Sequence, residues 1–133
     1  MRLFPSLIAA AIVASPGPTA AQDAAAGATL YRDFCAVCHG VEARGDGPMA
    51  EVLRIQPPDL TQLAEADDFP LLEVARRIDG RDPLVAHGGL MPLYGPWFQD
   101  QGPDVAMQMP DGQPVMMSQP IADLIAYLIS VQS

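Results

Sequence analysis

Apolar residues recur at helical spacing near both ends of the chain and once in its middle. From Asp23 to about Cys35, Gly27, Leu30, Tyr31 and Phe34 fall at i, i+3, i+4 and i+7, predicting an opening helix that Asp23 caps. Glycine costs a helix stability relative to alanine, so Gly27 on that stripe points to a close packing partner. At the other end, Ile121, Leu124, Ile125, Leu128 and Val131 line one face of a closing helix. Ser118 or Gln119 caps it, with Pro120 in its first turn. Pro70 to Asp79 carries Leu71, Val74, Ala75 and Ile78 on one side, and Gly80 stands where a helix would stop.

The pattern breaks between these segments. Val41 to Gly47 ("VEARGDG") is a polar loop, and Pro48 begins a short helix through Leu53. Pro57 to Thr61 is extended or a turn, with Thr61 as cap for a short helical piece around Leu63. Gly88, Gly89, Pro92, Gly95 and Pro96 make a long irregular stretch. Two short apolar segments, Val105 to Met109 and Val115 to Met117, flank Pro110-Asp111-Gly112-Gln113 and read as a hairpin. The expected fold is all-α, with helices at both ends, Gly/Pro-rich loops between and a small hairpin near 105–117. A core so interrupted needs something large and apolar to wrap around.

A chain of 133 residues suits one domain. Its first 21 residues read as a leader. Met1-Arg2 is a small positive region, Leu3 to Ala14 is apolar, Ser15-Pro16-Gly17-Pro18 breaks any helix, and Thr19-Ala20-Ala21 offers small residues for cleavage. The apolar run is too short for a membrane span, which takes roughly twenty residues. A cut after Ala21 would leave a domain over 22–133, exported to the periplasm and without a transmembrane segment. The formal net charge is −9, with 16 acidic residues against seven basic ones, and lysine is absent. Nothing here could replace the counterions of a nucleic acid, so that partner class is excluded. An acidic surface speeds encounter with a basic partner, and salt weakens the effect.

Both cysteines and one of two histidines sit in Phe34-Cys35-Ala36-Val37-Cys38-His39-Gly40. A thiol redox pair of the thioredoxin type wants a strand before the motif, where this chain has a helix. A structural zinc site would take four ligands, for which Cys35, Cys38, His39 and His87 are the available set. Cys-Xaa-Xaa-Cys-His in an exported chain with no other cysteine instead fits covalent haem attachment. Both thiols then add to one porphyrin, and His39 turns its imidazole to the iron. Burying the ring supplies the missing apolar volume.

With Gly45-Asp46-Gly47-Pro48 following it, and Ala122 to Leu128 in the closing helix, this motif resembles a class I c-type cytochrome of the monohaem, bacterial periplasmic kind. The likeness runs from Ala24 to Val131. It implies one covalently attached haem c, held by Cys35 and Cys38, with iron bound by His39 and a distal methionine. Two Met-Pro pairs qualify, Met91-Pro92 and Met109-Pro110, and the surroundings of Met91 favour it. Met116, Met117 and His87 are remaining options. The resemblance also sets Gly27 against the last helix near Tyr127, and lets the Pro48 carbonyl accept from the His39 ring. Arg76, Arg77 and Arg81 become possible propionate partners. Residues 99–118 look like an insertion, either a surface loop or a partner-docking flap. The implied function is one-electron transfer between redox proteins, donor and acceptor with basic docking surfaces, rather than enzymatic catalysis. The rivals are a haem sensor or catalytic haem protein with a labile distal ligand, and a haem subunit of a larger dehydrogenase or oxidase complex.

Overall fold

Asp23 starts the first helix, α1 (Ala24–Phe34), by accepting from the amides of Ala25 at 2.8 Å and Ala26 at 3.2 Å. These are donors that the first turn would otherwise leave unpaired. This computed structural model describes residues 22–66, 68–81, 91–109 and 112–133. The leader read at 1–21, His87 within 82–90, and Pro110 and Asp111 of the hairpin turn therefore lie outside the described residues.

The closing helix, α5 (Gln119–Ser130), carries Pro120 in its first turn and packs across α1 in the largest interface between helices. Gly27 sits at the crossing, as expected. A Cβ there would run into the Asp123 carbonyl oxygen and lie 2.9 Å from the Tyr127 Cβ. The Tyr31 and Tyr127 rings meet beside it, with centroids 5.0 Å apart. Asp123 clamps the pair: its carboxylate accepts the Asp23 amide at 2.8 Å and the Gln119 side-chain amide at 2.7 Å.

The middle helix is α3 (Leu71–Asp79), following the four-residue α2 (Ala36–His39). Gly80 ends α3 in the left-handed conformation at φ 86°. A short helical turn at Ala50–Val52 falls inside the stretch read as helical after Pro48. The turn at Leu60–Gln62 corrects one reading. Asp59 caps it rather than Thr61, its carboxylate accepting the Thr61 amide at 2.9 Å and hydroxyl at 2.7 Å. Within the supposed irregular stretch lies α4 (Gly95–Phe98), where Pro96 occupies the first turn and so opens the helix instead of breaking it.

Strands β1 (Asp104–Gln108) and β2 (Pro114–Ser118) pair antiparallel, with Val105 opposite Met117 and Met107 opposite Val115. Val105, Met107 and Met117 are buried in the core with Phe98, Ile121 and Leu124. The 99–118 stretch is thus no loose surface loop; it closes one side of the helical core. The chain end is also fixed. The Gln132 side chain accepts the amides of Leu63 and Ala64 at 2.9 Å and donates to the Leu60 carbonyl at 2.8 Å.

Candidate functional site

Cys35 is the residue where α1 stops and α2 begins. Its amide still donates to the Tyr31 carbonyl at 2.9 Å, while its carbonyl accepts the His39 amide at 2.9 Å. One tight turn therefore carries Cys35, Cys38 and His39. It is braced from behind: the Gly47 amide donates to the Cys38 carbonyl at 3.1 Å and the Met49 amide to Val37 at 2.9 Å. Only a residue without a Cβ fits at 47, because one there would lie 2.6 Å from the backbone of Ala36, Val37 and Cys38. The Tyr31 hydroxyl secures the far end of the turn by donating to the Gly40 carbonyl at 2.7 Å.

The turn forms one wall of a cavity of about 1050 Å³. Cys35, Cys38, His39 and Met91 all line it, so the four residues of the expected ligand set come together. The remaining walls are largely apolar, including Ile55, Val74, Ile78, Leu124 and Leu128. That volume is at the upper end for a single small-molecule or cofactor site. Two thiols and an imidazole on one side of an apolar chamber fit a porphyrin tethered by its edge. Neither cysteine is in a disulfide, and burial, with Cys38 nearby, pushes the Cys35 thiol up to about 12. Among the described residues no group of three or more His, Cys, Asp or Glu is disposed to hold a metal ion; His87, the fourth member of the zinc set, lies outside them.

His39 is buried, and burial lowers its proton affinity below the usual histidine value, an effect its backbone partner partly offsets. That partner corrects an expectation. The His39 Nδ1 faces the Pro58 carbonyl at 3.3 Å, not that of Pro48. Pro48 lies between two residues whose amides are spent on the motif's backbone, which holds that segment behind the turn. The 57–58 segment is held in front by the Leu60 amide on the Ala43 carbonyl at 2.7 Å and the Gln56 side chain on the Gly45 carbonyl at 2.5 Å. With Nδ1–H donating to Pro58, Nε2 keeps the lone pair that a metal would need.

The other proposed residues fall elsewhere. Met109 is half-buried against the core but is not part of the cavity wall; Met117 is buried in the core and Met116 is exposed on the hairpin. Of the three arginines, Arg77 lines the cavity. Arg81 instead pairs with Asp79 and donates to the Met116 carbonyl at 3.3 Å. Two aromatic wall residues were not anticipated from the sequence. Phe34 and Tyr94 line the cavity edge to face, 5.9 Å apart, and the Tyr94 hydroxyl donates to the Phe34 carbonyl at 2.9 Å.

The family model described as Cytochrome c matches residues 24–132, almost the whole of the described chain. No curated protein and no solved structure matches it. Members of that family attach haem c through a Cys-Xaa-Xaa-Cys-His motif and transfer electrons with it, typically as carriers rather than enzymes. No described helix is long and apolar enough to cross a membrane.

Proposed function

The chain belongs to the cytochrome c family, and on that premise we propose that it is a periplasmic monohaem carrier of single electrons. Cys35 and Cys38 hold the haem by thioether bonds, His39 is the proximal iron ligand and Met91 the distal one. Residues 1–21 act as a secretory leader, which leaves 22–133 as the cytochrome domain. The observation that carries this reading is the shared cavity: both thiols, the imidazole and Met91 face one apolar chamber, whereas Met109 does not.

Bound haem c supplies an iron that changes charge by one unit. The chain's residues do the rest. Pro58 fixes the His39 tautomer and orientation, so little rearrangement accompanies the charge change. A thioether from Met91 is a soft donor that favours the ferrous state and raises the potential relative to a second histidine. Apolar walls at Val74, Ile78, Leu124 and Leu128 exclude water and disfavour the additional positive charge of the ferric state. With His39 and Met91 both holding the iron, no position would be left open to oxygen, which would suit a carrier. Donor and acceptor are other redox proteins, and the excess of carboxylates favours basic ones.

Visible spectra of Met91→Ala and Met109→Ala holoproteins test the assignment. Met91→Ala should lose the long-wavelength thioether band, bind carbon monoxide readily when reduced and show a lowered potential, while Met109→Ala keeps the parent spectrum. An unchanged Met91→Ala spectrum would move the distal role to another residue.

A further inference from the structure

Several aromatic rings run from the cavity to the surface. Phe34, on the cavity wall, has its ring centroid 5.4 Å from that of Phe98 and 6.3 Å from that of Trp97, both in edge geometry. Trp97 is the chain's single tryptophan and is 61% exposed. Leu93 and Met116 are 40% and 52% exposed and help to line a separate cleft of about 450 Å³, whose wall includes Pro96 and Gln99 from the same helical turn as Trp97. One exposed apolar residue would mean nothing; two on this cleft, with Trp97 exposed on the short helix that borders it, form a patch.

Charge is distributed unevenly in the same direction. Every basic residue lies at or before Arg81, and from 82 to 133 the sequence holds five aspartates with no lysine or arginine. Asp100 and Asp104 are exposed beside the patch, and Asp104 borders the cleft. Arg81, also at the cleft, is already held by Asp79 and the Met116 carbonyl.

We propose that the face around Trp97, Leu93 and Met116 is a docking surface for a basic redox protein, coupled to the cofactor cavity through Phe34. This deepens the electron-carrier reading and rests on it. Asp100 and Asp104 attract a partner surface rich in lysine or arginine, and the apolar patch excludes water from the contact. One electron crosses per encounter: the carrier's iron passes from ferrous to ferric as the partner is reduced by one unit, and no proton or bond changes hands. Phe34 shortens the gap, standing between Trp97 and the cavity.

Tris(1,10-phenanthroline)cobalt(III) is a suitable probe, being cationic, faced with apolar rings and diamagnetic. Titrated into ferric holoprotein, where no electron can pass, it should shift the single indole N–H resonance of Trp97. Mixed with ferrous holoprotein in a stopped-flow instrument, it should oxidise Trp97→Leu and the Asp100→Asn/Asp104→Asn pair at least about threefold more slowly than the parent. The aspartate pair should also flatten the salt dependence, and anionic ferricyanide should show no such slowing with it. An unmoved indole resonance together with parental rates in both variants would overturn the proposal. Because the visible spectrum of each variant is recorded first, that failure is distinct from loss of the Met91 ligation.

Discussion

Replacing Gly27 with alanine sets two effects of opposite sign against each other. Intrinsic propensity favours alanine within a helix by about 1 kcal/mol. The crossing with α5 opposes it. The added methyl carbon would lie 2.5 Å from the Asp123 carbonyl carbon and 2.9 Å from the Tyr127 Cβ, where carbon atoms prefer about 3.5–4.0 Å. The obstacle is backbone, so no side-chain rotation relieves it, and the helices must part by about 1 Å. A gap of that order forfeits roughly a quarter to a half of each dispersion contact along the interface. It also stretches the 2.8 Å bond from the Asp23 amide to the Asp123 carboxylate, of a class worth about 1.5–3 kcal/mol. Overpacking of this kind costs about 1–3 kcal/mol by itself. After subtracting the propensity gain, Gly27→Ala should be less stable by about 1.5–5 kcal/mol. Guanidinium unfolding of the holoprotein, followed by far-ultraviolet circular dichroism and haem absorbance, measures it. A variant as stable as the parent would mean that α1 and α5 do not approach as described.

Two hydroxyl deletions should differ in outcome. Tyr31→Phe strips the Gly40 carbonyl of a buried donor and should cost about 1–3 kcal/mol in the same unfolding assay. Ser118→Ala removes a hydroxyl that is buried with no hydrogen-bond partner among the described residues, so it should be neutral or stabilising by up to about 1 kcal/mol; a clear loss would reveal a missing partner. Acid should weaken the fold through His39. Its folded proton affinity is lowered, chiefly by burial, so the unfolded chain takes up the proton first, near pH 6.5. The contribution is therefore complete above about 6.5 and lost as pH falls toward the lowered folded value. In the holoprotein iron on Nε2 would lower the folded proton affinity further, so urea midpoints should drop as pH falls below about 6.5, and a midpoint that stays level would refute the sign.

The three longer helices were legible because each is one amphipathic stripe with a recognisable start or stop. Asp23, Gly80 and Pro120 work locally, and local chemistry can be read along a chain. Gly27 was legible for the opposite reason: a glycine on an apolar stripe makes no local sense, so it signals a distant neighbour. What failed were contests between neighbouring residues and pairings across loops. Asp59 prevailed over Thr61 because its carboxylate takes both the amide and the hydroxyl of Thr61, while the later amides of Leu63 and Ala64 go to Gln132. At 95–98, a Gly-Pro pair that reads as a breaker instead opens a helical turn, because Phe98 buries into the core behind it. The hairpin was visible in its alternation, but its burial was not, since alternation says that one face is covered without saying by what.

The exchange of Pro48 for Pro58 behind His39 shows where reading by pattern ends. Both prolines follow the motif in loops, both present carbonyls, and their local sequences rank neither above the other. What separates them is a set of bonds between residues far from the ring. The amides of Gly47 and Met49 are committed to Cys38 and Val37, which keeps the first segment behind the turn. Leu60 and Gln56 bind Ala43 and Gly45, which brings the second segment round to the imidazole. The same logic governs the cavity. Cys35, Cys38 and His39 are adjacent in sequence, but Met91 reaches their chamber because the Tyr94 amide donates to the Ile78 carbonyl at 2.8 Å and its hydroxyl to Phe34. Those two bonds fasten the segment after Met91 to α3 and to the end of α1, whereas Met109, beyond β1, bonds to Gln113 and Gly112 of its own hairpin. A distal role for Met109 would require its side chain to reach a cavity of whose wall it forms no part here.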